Sequence, residues 1–239
     1  MTAGKSAIVL QARFGSSRLP GKALARLGSR TVLEHCILRL RSSGLPVILA
    51  TTPRREDDAL AREAERLGAN VFRGDERNVL SRFIDTALCF GLTTVVRATG
   101  DNPLVDTDAA ARVLGRIHDT NADHVVEYGL PVGAAVEAVS VDALVRSEVL
   151  VAGSEDREHV TTFIKRDSRF TAVRVTAPAA VVRPDLRFTI DTAADLEFVQ
   201  SVFAELRGGD ELPRLGVAIQ AAERLLARTI NVQQVRRGA

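Results

Sequence analysis

Two groups of residues in this chain have types and spacing suited to phosphate chemistry. The segment Gln11-Ala-Arg-Phe-Gly-Ser-Ser-Arg-Leu-Pro-Gly-Lys22 sets three cations, Arg13, Arg18 and Lys22, among two glycines and two serines. Backbone amides that glycine can turn inward, small hydroxyls and fixed positive charge are what converging phosphate oxygens require. The second group is a pair of carboxylates, Asp101 in Thr99-Gly-Asp-Asn-Pro103 and Asp191 in Thr189-Ile-Asp-Thr192, each past an apolar stretch and 90 positions apart. Two hard oxygen ligands beside a polyphosphate suit Mg²⁺, with water and phosphate oxygens filling its other positions. Asp191 also has a local reading, as a helix cap beside Thr192.

Counting removes the commoner phosphate loops. Gly15 and Gly21 enclose five residues where a Walker A loop has four, and Lys22 is followed by Ala23 rather than Ser or Thr. No G-x-G-x-x-G occurs near this segment, so a dinucleotide fingerprint is absent.

The elements that must hold these residues alternate strand, loop and helix. Ala7–Leu10 is an apolar run without alternation, as in a strand covered on both faces. Thr31 stands three residues before Glu34, a capping-box signature, and Leu33, Cys36, Ile37 and Leu40 follow at helical spacing up to Gly44. The pattern then predicts a strand over 47–50, a helix from Glu56-Asp57-Asp58 to Gly68, a strand at 71–72 and a helix over 79–90. A strand over 94–96 and a helix over 106–117, capped by Asp106 or Asp108, complete this half. A mostly parallel twisted sheet with helices on both faces, a three-layer α/β sandwich, is the expected fold.

The second half reads less regularly. Short strands are expected at 125–126 and 136–139, helices over 142–150 and 155–166, and strands over 170–175 and 187–190. Thr192 caps a helix whose face is Leu196, Val199, Phe203 and Leu206, Gly208-Gly209-Asp210 forms a loop, and the last helix spans 213–226. No repeat or linker divides the chain, so residues 1–239 read as one domain.

Composition narrows the partners. The chain has 239 residues and a net charge of +2 from 32 basic and 30 acidic side chains. That balance argues against nucleic acid or an anionic membrane as the main partner. Two cysteines cannot build a disulfide framework or a thiolate zinc cluster, so a reducing, cytoplasmic setting is expected. Cys36 and Cys89 both read as core residues rather than nucleophiles. The apolar start is too short before Gln11 for a signal peptide, and no run approaches a membrane span.

The first loop resembles the signature of the cytidylyltransferases that activate acidic sugars, with most similarity to their spore-coat polysaccharide branch. Four further matches follow in the same order: Val71-Phe-Arg-Gly-Asp75 with Val79-Leu-Ser-Arg-Phe83, Arg97-Ala-Thr-Gly-Asp-Asn-Pro-Leu104, Arg157-Glu-His-Val160, and Leu186-Arg-Phe-Thr-Ile-Asp-Thr192 with Asp195-Leu196. The resemblance implies a nucleotide-diphospho-sugar-transferase-like fold and Mg²⁺ held by Asp101 and Asp191. It also implies attack of an acceptor oxygen on the α-phosphorus of CTP, with Arg13 and Lys22 meeting the charge on the phosphates.

Leu10, Ala12, Gly15, Ser16, Arg18, Thr51, Arg73, Arg97 and Thr99 would complete the nucleotide site by this resemblance. The acceptor, a small anionic or polyhydroxylated molecule, would meet Tyr128, Gly133, Glu137, Arg157 and His159, within a portion (123–184) that in the family also forms homodimers. Ala135 departs from the aspartate often found there. Two alternatives stay open on this sheet: a nucleotide-sugar glycosyltransferase, for which the Asp-x-Asp element is missing at 101–103, and a non-catalytic nucleotide-binding protein.

Overall fold

Along the chain the strands are β1 (Ser6–Gln11), β2 (Arg26–Leu27), β3 (Arg30–Thr31), β4 (Val47–Thr51), β5 (Asn70–Arg73), β6 (Thr94–Thr99), β7 (His124–Tyr128), β8 (Glu137–Ser140) and β9 (Ala172–Thr176). The helices are α1 (Val32–Arg41), α2 (Asp58–Arg66), α3 (Val79–Cys89), α4 (Ala109–Thr120), α5 (Val141–Leu150), α6 (Ser154–His159), α7 (Thr162–Arg166), α8 (Ala193–Glu205) and α9 (Leu215–Arg237). The computed structural model describes residues 4–16, 18–206 and 212–237, with side chains up to residue 228. The expected loop at Gly208-Gly209-Asp210 lies outside the described residues.

One seven-stranded sheet runs in the order β5-β4-β1-β6-β8-β7-β9. Pairing is parallel from β5 through β6 and between β7 and β9; only β8 runs antiparallel to its neighbours β6 and β7. β1 shows why helices must cover both faces. Ile8 and Leu10 enter one core with residues of α1, α2, α4 and α8, whereas Ala7 and Val9 enter the other with residues of α3, α5 and α7. A third cluster packs α9 against Leu186, Phe188 and Val202.

Local signals set several ends. Thr31 and Glu34 make the expected capping box at α1, and Thr192 makes another with Asp195 at α8. Burial pushes the Asp195 carboxyl up, but Arg187 Nε at 2.9 Å and the amides of Asp191 and Thr192 bring it down to about 2. Its folded pKa therefore lies below the unfolded value, so its stabilisation is present above about pH 4 and drains away as pH falls towards about 2. Asp195→Asn is expected to lose about 2 kcal/mol at pH 7 and to flatten the acid limb of stability. Urea midpoints at neutral and acid pH check both.

Five expectations need correction. Residues 187–190 are extended but make no strand: only Arg187 bridges, to Val132, because Val132 belongs to a turn that offers a single register position. The helix expected over 155–166 is two helices, α6 and α7, broken where Val160 takes φ +62°. α4 starts at Ala109; Asp108 holds the cap position without a side-chain bond, and the buried Asp106 pairs with Arg112 instead. Cys36 is buried as expected, but Cys89, the last residue of α3, is exposed. The final helix begins at Leu215 and continues to Arg237.

Candidate active site

The chain leaves β1, builds β4 and β5 on one side, and returns to place β6 on the other. Loops leaving β1 and β6 therefore diverge, and a crevice opens beyond their carboxyl ends, the usual ligand position in such sheets. Here it is a solvent-open cleft of about 230 Å³. Gln11, Ala12, Arg13, Ser16, Arg18 and Lys22 form one wall; Arg97, Thr99, Gly100 and Asp101 form another. Glu158 and His159 reach it from α6, and Asp191 from the segment before α8.

The first loop is held by its own backbone and by a buried acid. The Phe14 carbonyl accepts from the amides of Ser16 and Gly21, and the Phe14 amide donates to Asp57 Oδ1 at 2.6 Å. Asp57, 1% exposed, also accepts from the amide and hydroxyl of Thr52, tying the loop to the end of β4. Arg13 is left with two long contacts, to the Glu76 carbonyl at 3.5 Å and Glu158 at 3.8 Å. Its guanidinium is thus available to a phosphate in the cleft.

Lys22 joins the two carboxylates. Its Nζ donates to Asp101 Oδ2 at 2.7 Å, to the Ile190 carbonyl at 2.7 Å and to Asp191 Oδ1 at 3.1 Å. Asp101 also accepts from Thr99 Oγ1 at 2.7 Å, and Asp191 from Arg18 at 2.8 Å and Arg187 at 2.6 Å. Burial pushes the Asp191 carboxyl up, yet Lys22 first, then Arg18 and Arg187, hold it below the usual carboxylate range. Two carboxylate oxygens converging on one ammonium also suit a divalent cation with oxygen ligands, so the residues fit Mg²⁺.

The backbone brings these carboxylates together without a continuous strand. The Ile190 amide donates to the Asp101 carbonyl at 2.9 Å, and the Phe188 and Thr189 amides donate to the Val132 carbonyl. Gly133 makes this approach possible. At φ +92°, a Cβ there would lie 2.5 Å from the Thr189 nitrogen and 2.9 Å from Asn102 Oδ1. Gly133→Ala is expected to cost roughly 1–3 kcal/mol and to part Asp191 from Asp101. Thermal melts and turnover of the variant should fall together; a loss of stability with full turnover would contradict it.

Behind the β6 wall lies a polar cluster. Glu137 accepts from Thr161 Oγ1 at 2.5 Å and Lys165 Nζ at 2.8 Å, with Arg97 Nη1 and His124 Nε2 each 3.6 Å away. Burial pushes its carboxyl up, but His124, Arg97 and Lys165 hold it well below the ordinary range. The His159-Val160-Thr161 turn closes with the Thr161 amide donating to the His159 carbonyl at 2.6 Å. Such a γ-turn on a β-branched residue is strained, by about 1–3 kcal/mol. It turns His159 to the cleft and Thr161 to Glu137.

Among the residues picked from sequence, Ala12, Arg13, Ser16, Arg18, Lys22, Arg97, Thr99, Asp101, Asp191 and His159 line one cleft. The others lie outside that lining. Leu10 and Thr51 are buried in the sheet, and Gly15 sits at the exposed turn of the first loop. Arg73 pairs with Asp58 at 2.8 Å and the Thr52 carbonyl. Glu137 stands behind Arg97, and Gly133 supports the 187–191 segment. Arg157 turns to the Val151 carbonyl at 2.9 Å, and Tyr128, half exposed, bonds Thr176 at the far end of the sheet. Sequence reasoning missed Gln11 and Glu158 in the lining and Asp57 and Arg187 as supports. Glu158 was legible: Arg157 and His159 are two apart on a helix and cannot share a face.

Comparison with known proteins fits this geometry. The cytidylyltransferase family model matches residues 7–221. The chain belongs to the cytidylyltransferase family. It is an enzyme of the nucleotidyltransferase class. It is 35% identical over 192 residues to the uncharacterized protein MJ1063 of Methanocaldococcus jannaschii, covering 79% of each chain. It is 32% identical over 203 residues to the spore coat polysaccharide biosynthesis protein SpsF of Bacillus subtilis, covering 82% of this chain and 85% of that one. A 3-deoxy-manno-octulosonate cytidylyltransferase of Aeromonas salmonicida shares 30% over 143 residues, 57% of this chain and 55% of that one.

Solved structures share the fold. A cytidylyltransferase from Leptospira borgpetersenii superposes with TM-score 0.86 at 23% identity, covering 94% of this chain and 96% of that one. A CMP-2-keto-3-deoxy-manno-octonic acid synthetase solved with CTP gives 0.63 at 19%, covering 84% and 98%. A Mycobacterium tuberculosis protein solved with manganese gives 0.54 at 18%, covering 83% and 98%. Among the described residues no helix is long and apolar enough to cross a membrane.

Proposed function

We propose that this enzyme transfers a cytidylyl group from CTP to a hydroxyl, phosphate or phosphonate oxygen of a small acidic or polyhydroxylated acceptor, with Mg²⁺ as cofactor. The observation that carries the reading is the pair Asp101 and Asp191 clasped by Lys22 at the switch-point cleft, with Arg13 and Arg18 beside it. The acceptor oxygen attacks the α-phosphorus in line, the bond to the bridging oxygen of the β-phosphate breaks, and pyrophosphate leaves. The acceptor's proton passes to solvent.

Arg13 and Arg18 orient the triphosphate, and the Lys22 ammonium turns from the carboxylates to the phosphate oxygens as charge builds there. Asp101 and Asp191 would hold the metal, which would supply positive charge to offset that of the phosphates. Residues 123–184 shape the acceptor side, and a cytoplasmic homodimer is the form we propose for the working enzyme.

Calorimetry with CTP, UTP, ATP and GTP, each with and without Mg²⁺, tests the donor. Selective, magnesium-dependent CTP binding is expected. Preference for another nucleotide would remove the cytidylyl reading, and no binding at all would remove the substrate site.

A further inference from the structure

The charges at the centre of the cleft already form a closed set. The Lys22 ammonium has three N–H donors, and the protein uses all of them: Asp101 Oδ2 at 2.7 Å, the Ile190 carbonyl at 2.7 Å and Asp191 Oδ1 at 3.1 Å. In this arrangement Lys22 keeps no donor for a phosphate. The other oxygen of each carboxylate is engaged elsewhere, Asp101 Oδ1 by the Thr99 hydroxyl at 2.7 Å and Asp191 Oδ2 by Arg187 at 2.6 Å. A cation that used both carboxylates would therefore take Asp101 Oδ2 and Asp191 Oδ1, the pair that holds the ammonium. Two positive groups on the same two oxygens would stand within a few ångströms and repel strongly.

The frame around that pair has supports besides Lys22. Asn102 Nδ2 donates to Thr99 Oγ1 at 2.8 Å, so the single Thr99 proton is committed to Asp101. Arg187 is fixed in turn by Asp195 at 2.9 Å, and the Ile190 amide bonds the Asp101 carbonyl at 2.9 Å, pinning the two segments together. If the ammonium left, the two inner oxygens would stay in position with their charge exposed. Asp191 Oδ1 also accepts from Arg18 at 2.8 Å, so one loop supplies both cations that cover it. A polyphosphate drawn to Arg13 and Arg18 lies along the wall that also carries Lys22.

We propose that Lys22 is a built-in counter-cation that closes the cation position between Asp101 and Asp191. A nucleoside triphosphate draws it, with Arg18, onto phosphate oxygens, so that nucleotide and divalent ion bind as one coupled event. The proposal rests on the cytidylyl-transfer reading and adds an order to it: no divalent ion occupies this pair before the nucleotide. The arrangement with Lys22 off the carboxylates is a minor state of the free protein, and apparent metal affinity falls by its fraction.

The test uses the full chain and Mn²⁺ as probe, with protein-bound ion counted by equilibrium dialysis. Without nucleotide, wild type is expected to bind Mn²⁺ at least about 30-fold more weakly than Lys22→Met. Mn²⁺ should likewise raise the melting temperature of Lys22→Met and leave that of wild type unchanged. Adding Asp101→Asn to Lys22→Met should abolish both gains, which places the ion at this pair. Lys22→Gln takes the place of Lys22→Met should that variant fail to fold. With CTP in both chambers and no acceptor present, wild type should take up Mn²⁺.

Equal Mn²⁺ affinity in wild type and Lys22→Met without nucleotide would overturn closure by Lys22 and leave the metal reading intact. A gain in Lys22→Met that survives Asp101→Asn would overturn it too, because the ion would then sit elsewhere. Absence of Mn²⁺ uptake by wild type even with CTP would instead remove the metal reading on which the proposal rests.

Discussion

Replacing Lys22 by methionine is expected to lower kcat/KM by about 10³-fold, as loss of a preorganised charge at a transferring phosphoryl group does. Lys22 Nζ makes bonds of 2.7, 2.7 and 3.1 Å to Asp101, Ile190 and Asp191. Methionine keeps the length of the stem and removes all three donors. Asp191 retains Arg18 and Arg187, but Asp101 retains only the Thr99 hydroxyl among its hydrogen bonds to described side chains.

Two carboxylates then face each other with less compensation, and stability should fall by roughly 1–3 kcal/mol. The loss stays in this range because the lysine side chain is 12% exposed and Asp101 23%, so water screens part of the repulsion. Lys22 is also the foremost influence lowering the Asp191 pKa against burial, so that pKa should rise in the variant. The acid limb of activity should accordingly shift to higher pH. Steady-state pyrophosphate release across pH, with parallel melts, separates the effects. A variant with the stability loss but kcat/KM within tenfold of wild type would reduce Lys22 to a structural clasp.

Asp101→Asn carries the second large effect, a fall in turnover of roughly 10²–10⁴-fold with CTP binding in the absence of metal nearly unchanged. The amide is isosteric and can still accept from Thr99 Oγ1, which Asn102 Nδ2 supports at 2.8 Å. The local turn should therefore survive, with stability within about 1 kcal/mol of wild type. What disappears is a hard, charged oxygen ligand and the partner of Lys22. Calorimetry with and without Mg²⁺ should show that the metal no longer strengthens CTP binding. A variant that lost turnover yet kept the full magnesium response would place the metal on Asp191 alone.

Much of the fold was legible because its signals are local. The unalternating run in β1 required cover on both faces, and Ile8 with Leu10 and Ala7 with Val9 enter two separate cores. Thr31 announced a helix start through an acid three residues on, and Thr192 announced one as a cap; the structure adds Asp195 as its capping-box partner. The misses fall where tertiary contact overrides pattern. Residues 187–190 have the composition of a strand, but their hydrogen bonds go to Val132 and Asp101 rather than to a neighbouring strand. The helix expected across Val160 breaks because its β-branched side chain is buried beneath α3 and α5 while the backbone turns left-handed. Neither outcome follows from residues within a few positions of the segment.

The candidate site divides along the same line. Arg13, Arg18 and Lys22 share one loop after one strand, so their common address needed no tertiary information. On the acceptor side the sequence named residue types but not directions. Gly133 stands where the Thr189 backbone and Asn102 come close, Glu137 stands behind Arg97, and Arg157 bonds the Val151 carbonyl, two residues from His159 on a single turn of helix.

By itself the sequence determined a doubly covered, mostly parallel sheet, a cationic loop at the end of its first strand, and two carboxylates at chain positions that follow apolar segments. These are consequences of side-chain periodicity, capping and composition, all read within a few residues. Only the tertiary structure decided that Lys22 and Asp191, 169 positions apart, meet at 3.1 Å, and that Asp101 joins them. It also decided which charges are paired, among them Arg73 with Asp58 and Arg112 with Asp106 and Glu127. Those outcomes depend on strand order and on distances of a few ångströms between distant segments, over which electrostatic and hydrogen-bond energies change steeply.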